Sequence, residues 1–247
     1  MAARRAQVAA IASGKGGVGK STLAVGLGTA AALSGKQVLV MEFDAGLRGI
    51  DIMMGLTGIV YDLGDLLEGR CNISSAIMES PEIPGLFAIA APASLTGHME
   101  LEDIRLLVDG LRPHFDLILL DMPAGLGLSV RASCVAADLV LVVATPDPVC
   151  IRDGGKLVQS FVEAGFENHR LVINRVSKNL MRRQIVRDLD EVIDGVGSQL
   201  IGVVPEDHET QLASASGRPV DAKSEMRKVC SAIVRRMSGE YVPLLIS

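Results

Sequence analysis

Directly after the short apolar run Val8 to Ala12, the chain reads "SGKGGVGKSTLAVGLGTAAAL". Four glycines fall within the six residues Gly14 to Gly19, between an apolar run and a long stretch of helix formers. That juxtaposition leaves few structural choices. A strand must end in a loop whose backbone takes conformations that glycine tolerates best, and a helix must begin where the loop closes. Gly14-Lys15-Gly16-Gly17-Val18-Gly19-Lys20-Ser21 fits G-x-x-x-x-G-K-[ST] at every position, in the strand-to-helix setting the pattern requires. In such a loop, backbone N–H groups converge on phosphate oxygens and the helix N-terminus favours the anion. Lys20 is expected to bridge β- and γ-phosphates, and the Ser21 hydroxyl to ligate Mg²⁺. The expected cofactor-binding stretch is Gly14, Lys15, Gly16, Gly17, Val18, Gly19, Lys20, Ser21 and Thr22.

Further apolar runs recur at Val38 to Phe43, Leu86 to Ala90, Leu117 to Leu120, Leu139 to Ala144, Leu171 to Ile173 and Leu200 to Val204. Most lack polar alternation, so both faces of each strand should be covered, as in a parallel sheet between helix layers. Helical patterns fall near 20–34, 100–111, 128–136, 150–164, 179–193 and 222–237. Shorter helices are expected around Tyr61 to Leu67 and Asn72 to Met78. The strand–helix alternation predicts an α/β fold, a doubly wound, mostly parallel sheet with helices on both faces. No repeat or linker interrupts it, so residues 1–247 read as a single domain. Apolar residues make up 49% of the chain, enough for a large core, and aromatics only 3%, so Val, Leu, Ile, Ala and Met must fill it. A net charge of −5 with interspersed signs argues against a nucleic-acid binder. Cys71, Cys134, Cys150 and Cys230 form no CxxC pair and have no His at ligand spacing, so reduced core thiols in a cytosolic protein are expected. No stretch reaches the ~18 apolar residues of a membrane span.

Two apolar runs end in acids. Met41-Glu42-Phe43-Asp44 closes one, and Leu119-Leu120-Asp121 closes another before Met122-Pro123-Ala124-Gly125. Either aspartate alone is also what a strand-end turn takes. Beside a phosphate loop, both are placed to hold Mg²⁺ or its water. Lys15 is less easily explained. A cation one residue after Gly14 cannot readily fold back onto phosphates wrapped by its own loop. It is either a solvated lysine, or a cation that reaches a second subunit and neutralises charge there as an arginine finger does.

At this point the residues carry a family likeness. "KGGVGKST" resembles the deviant phosphate-loop motif of the MinD/ParA ATPases. "FDAGLRGIDIMMGL" and "DMPAGL" are similar to the two switch segments of its MinD branch. "TPDPVCIRDGGKL" resembles a segment whose Arg-Asp pair contributes to partner binding there, and "LVINRV" and "IGVVPEDHETQLASASGRPV" resemble its adenine-side strand and C-terminal region. The likeness covers about residues 6 to 238. It implies ATP and Mg²⁺ as cofactors and an ATP-dependent homodimer in which Lys15 acts across the interface. It implies catalytic roles for Lys15, Lys20 and Asp44, with Asp44 orienting the attacking water, and a metal site of Ser21, Asp44 and Asp121. Asn174 would hydrogen-bond adenine beside Arg175, with Pro205 and Glu206 flanking the base. Arg48, Asp51, Arg152 and Asp153 would lie on the dimer or partner surface. The implied activity is ATP hydrolysis to ADP and phosphate, as a spatial switch in division-site placement, with a MinC-like or MinE-like regulatory protein as partner.

The chain departs from the pattern in two places. The branch usually ends in a short amphipathic membrane helix, whereas this chain ends "RRMSGEYVPLLIS", interrupted by Pro243. The stripe Met226, Val229, Cys230, Ile233, Val234 and Met237 reads as a helix packed on the domain. The expectation is a cytoplasmic protein, or one peripheral at the inner face of the cell membrane, with the tail either lost, trimmed or replaced by a partner's membrane contact. After "DMPAGL" the chain continues "GLSV" rather than with a Glu-bearing sequence. Rival readings are a ParA-like or flagellar-number (FlhG-like) ATPase positioning other cargo, a metal-cluster scaffold ATPase, and a binder that does not hydrolyse. A DNA cargo would want a basic face and a cluster scaffold paired cysteines; neither pattern is present.

Overall fold

The structure, a computed structural model, describes residues 6–45, 48–92, 100–177, 188–221 and 223–244. The strands are β1 (Gln7–Ala12), β2 (Val38–Glu42), β3 (Met78–Glu79), β4 (Leu86–Ile89), β5 (Leu117–Asp121), β6 (Leu139–Ala144), β7 (His169–Val176) and β8 (Leu200–Pro205). The helices are α1 (Lys20–Leu33), α2 (Ile50–Met53), α3 (Leu63–Leu67), α4 (Ile73–Ala76), α5 (Leu101–Leu111), α6 (Leu128–Ala136), α7 (Pro148–Glu163), α8 (Leu189–Val196), α9 (His208–Ser216) and α10 (Glu225–Met237). Among the described residues the strands form one sheet in the order β3-β4-β2-β5-β1-β6-β7-β8. Only the two-residue edge strand β3 runs antiparallel.

Every residue of β2, β5 and β6 is buried, because helices cover both sheet faces. This is the doubly wound architecture that the unalternated apolar runs predict. The chain leaves β1 towards β2 and β4, returns through β5 to pair with β1, and then crosses to β6 on the other side. The strand order reverses at β1, so the crevice beyond its carboxyl end is where this architecture binds ligands.

Small residues set the depth of α1. A Cβ at Gly28 would come within 2.9 Å of Leu86 Cδ1, so the helix lies close on the sheet. On another side, a Cβ at Gly26 would meet Cys230 Sγ and Met226 Cε at 3.0 Å, and there α10 lies against it. All six stripe residues of α10 are buried, while Lys228 and Arg235 are exposed.

Several expectations need adjusting. β7 extends to Val176, beyond the apolar run, through a register shift against β8 between Ile173 and Val176. The short helix α2 and the edge strand β3 were not expected, being too short to show a period. Nor was α9, whose only buried residue is Thr210, so it has no apolar stripe to read. Of the helix expected at 179–193, residues 179–187 lie outside the described residues. α8 is set further along, with Asp188 accepting from Glu191 N at 2.9 Å and Gly197 (φ 71°) ending it. Cys150 and Cys230 are core residues, but Cys71 and Cys134 are only half-buried, so the expectation of four core thiols holds for two.

Candidate active site

The phosphate loop is shaped by what its glycines press against. A Cβ at Gly14 would lie 2.3 Å from the Asp153 carbonyl oxygen, so the loop starts in direct contact with the backbone of α7. Gly17 and Gly19 have φ of 77° and 95°, the left-handed region that suits glycine. A Cβ at Gly19 would meet the Asn174 amide nitrogen at 2.4 Å. Ser13 Oγ donates to the Lys15 carbonyl at 2.7 Å, and Leu23 N donates to the Gly19 carbonyl at 2.9 Å as α1 begins. Gly125 N reaches back to the Ser13 carbonyl at 2.9 Å, tying the loop after β5 to the phosphate loop.

The two lysines are separated by burial. Lys20 is 7% exposed and its charge acts on Asp121. Lys15 points outward with its side chain 47% exposed, 3.8 Å from Asp147 at the start of α7. Asp147 also accepts from the Thr145 hydroxyl at 2.6 Å and from Cys150 N at 3.0 Å, which caps α7.

Asp121 and Glu42 are partners in register at the carboxyl ends of β5 and β2. Asp121 is 1% exposed, and neither carboxylate oxygen has a hydrogen-bond partner among the described residues. Burial pushes its carboxyl up to about 7, against the pull of the Ser21 hydroxyl and the Lys20 charge and with the push of Glu42 and Asp44. A buried acid with two orphaned oxygens, beside a hydroxyl and a second carboxylate, matches the hard oxygen donors that Mg²⁺ takes. Ser21 and Asp44 both lie close enough to act on the Asp121 carboxyl. Glu42 was passed over in the sequence, although an acid inside the apolar run "VLVMEF" is itself a signal. Burial pushes its carboxyl up, while the amides of Gly49, Ala91 and Ile50 pull it back.

Beyond Gly19 a cleft of about 350 Å³ is lined by Thr22, Met53, Asn174, Arg175, Pro205 and Glu206, among others. That volume suits a small ligand. Asn174 is buried, its Nδ2 donating to the Val18 carbonyl at 2.7 Å and its Oδ1 accepting from Arg175 N at 2.9 Å. Each amide atom keeps one further hydrogen-bonding position, so Asn174 can both brace the loop and address a base. Arg175 takes φ 56° at the β7 irregularity and is exposed at the cleft mouth. Glu206 N donates to the Val176 carbonyl at 3.0 Å, which holds the segment after β8 over the cleft.

The surface set divides. Arg152 pairs with Asp153 at 2.9 Å on α7, with the Arg152 side chain 63% exposed. Arg48 turns inward, donating to the Ala91 carbonyl at 2.8 Å and pairing with Asp62. Asp51 accepts locally from Ile52 N at 2.8 Å.

Residues 9–220 match the CobQ/CobB/MinD/ParA nucleotide binding domain. The chain is 37% identical over 242 residues to the septum site-determining protein MinD of Bacillus subtilis (strain 168), covering 96% of this chain and 90% of that protein. Among solved structures it is similar to a chain of the Aquifex aeolicus MinC:MinD cell division protein complex, with TM-score 0.89, 30% identity, and coverage of 98% of this chain and 99% of that one. The Pyrococcus horikoshii MinD complexed with Mg-ADP shares the fold, with TM-score 0.81 at 21% identity, over 94% and 96% of the two chains. With its phosphate loop, its paired strand-end acids and this likeness over nearly its whole length, the chain belongs to the MinD ATPases of the CobQ/CobB/MinD/ParA nucleotide-binding family.

Proposed function

We propose that this protein hydrolyses ATP to ADP and phosphate with Mg²⁺, dimerises when ATP is bound, and acts as a spatial switch in division-site placement. Lys20 and the loop amides hold the phosphates within one subunit. Ser21 and Asp121 would hold Mg²⁺, which when bound neutralises charge on the β- and γ-phosphates. Asp44 accepts a hydrogen bond from the attacking water and so orients it. Asn174, Pro205 and Glu206 receive the adenine. A MinC-like or MinE-like protein reads the dimer, with the exposed Arg152 and its half-buried partner Asp153 as part of the contact.

The observation that carries this reading is the split between the lysines, one buried against Asp121 and one exposed at the loop's outer rim. Two nucleotide sites that face each other bring several negative charges together, and in a desolvated interface a crossing cation offsets the repulsion. Lys15→Ala is therefore expected to bind Mg-ATP as a monomer, yet fail both to dimerise and to hydrolyse. Such trans cations are worth about 10³-fold or more in rate. Asp44→Ala is expected to bind ATP and accumulate as a dimer without turnover. Size-exclusion chromatography in Mg-ATP separates the cases. A Lys15→Ala protein that dimerises and hydrolyses at the wild-type rate would remove the sandwich mechanism.

A further inference from the structure

Glu42 gathers three backbone donors from two separate segments. Its Oε1 accepts from Gly49 N at 2.9 Å and from Ile50 N at 3.3 Å, where α2 begins. Its Oε2 accepts from Ala91 N at 3.3 Å, just past the end of β4. The carboxylate is 1% exposed and lies beside Asp121 in register. Burying a carboxylate costs free energy that only well-made hydrogen bonds offset, so this arrangement fixes its donors firmly.

Glu42 and two of the donors it holds, Gly49 and Ile50, flank Asp44 in sequence. Upstream, Phe43 is buried and its N–H donates to the Asp121 carbonyl at 2.9 Å. Downstream, the chain returns to the same point, where Glu42 holds Gly49 and Ile50. Asp44 therefore lies on a short loop closed at its far end by the side chain of a residue at its near end. α2, whose start is held in this way, contributes Met53 to the nucleotide cleft. At its C-terminus α2 abuts α9, where a Cβ on Gly55 would lie 2.9 Å from the Gly217 carbonyl oxygen.

We propose that Glu42 is a positioning residue for hydrolysis, closing the loop that carries Asp44 so that this aspartate is held where the attacking water must lie. The proposal rests on the reading of Asp44 as the residue that orients water. It goes beyond that reading by assigning the geometry of Asp44 to a carboxylate bound to three backbone amides. A displacement of about 1 Å at a reacting group can cost ~10²-fold in rate, so loosening the loop acts on turnover rather than on binding.

The test is Glu42→Gln in the full chain, assayed with Mg-ATP. A glutamine carbonyl oxygen can serve Gly49 and Ile50 or Ala91, but its amide group opposes the remaining N–H. We expect kcat to fall at least about tenfold. The Kd for a fluorescent ATP analogue should stay within about threefold, and the ATP-dependent dimer should persist, because Lys20 and the loop amides are untouched. Glu42→Asp keeps both acceptor oxygens and should recover part of kcat. A merely structural role would lower nucleotide affinity and kcat together, and that result, or a wild-type kcat in Glu42→Gln, overturns the proposal. If Glu42→Gln does not fold, Glu42→Asp replaces it. One methylene shorter, that carboxylate falls short of donors that lie 2.9 and 3.3 Å from the native oxygens, and a smaller split of the same kind between kcat and Kd is expected. Absence of the split overturns the proposal. Asp44→Ala runs alongside: if it turns over normally, the water-orienting reading fails, whereas a dead Asp44→Ala beside a fully active Glu42→Gln sinks the positioning role alone.

Discussion

At the scale of single residues, Asp121 shows how function and stability oppose each other in this site. Its carboxyl rises from the ordinary 3.8 to about 7 because burial disfavours the charge. The folded chain therefore keeps a proton that the unfolded chain has lost between those values. Stability falls as pH rises through that window, and the full cost is present above pH 7. At about 1.4 kcal/mol per unit, that cost is on the order of 4 kcal/mol at most. Asp121→Asn should therefore melt at a higher temperature than wild type at pH 8 without nucleotide, with the gain shrinking towards zero near pH 4. The same variant should lose ATP turnover. Thermal melts across that range, beside a phosphate-release assay, check both halves. The sequence made Asp121 legible as a strand-end acid, and Lys20 and Ser21 through their spacing. It left unread Glu42, whose importance lies in backbone amides brought to it by the fold, and Asp147, which only the fold sets beside Lys15.

Among elements, the contact between α7 and the phosphate loop is the most constrained. Gly14 lies against the Asp153 carbonyl, and Lys15 faces Asp147 at the head of the same helix. A methyl group at Gly14 has no room, and the obstructing atoms are backbone, which cannot swing aside. Gly14→Ala should weaken Mg-ATP binding at least about tenfold and destabilise the fold by roughly 1–3 kcal/mol, the usual cost of overpacking. Isothermal titration together with urea unfolding measures the two effects. Elements with a strong period or an unbroken apolar run, such as β2, β5, β6 and α10, could be read directly from the chain. α9 could not, because a helix that buries only Thr210 owes its place to its Asp207 cap and to neighbours distant in sequence. The extension of β7 was hidden for a related reason: Asn174 and Arg175 look like turn residues, and only pairing with β8 keeps them in the sheet.

Across the whole molecule, α10 closes one side of the sheet by covering α1 and β8, with Ile233 lying where a Cβ on Gly202 would come within 2.5 Å of its Cδ1. Its apolar face is spent on the domain itself. Ile233→Asp should therefore cost roughly 3–5 kcal/mol through an unpaired buried charge, read as a lowered urea midpoint. Nucleotide should restore part of the loss by mass action, since only the folded chain holds it. The central place of β1 has a different consequence, which concerns how the protein is made. β1 leaves the ribosome long before its two neighbours, β5 and β6, which come from much later in the chain. Until residue 121 has emerged, β1 has neither neighbouring strand to pair with, and until residue 153 has emerged its glycine loop has no α7 to lean on. ATP can therefore give no help to a half-made chain. Slow closure of such distant pairings leaves the nascent N-terminal half in need of shelter during translation.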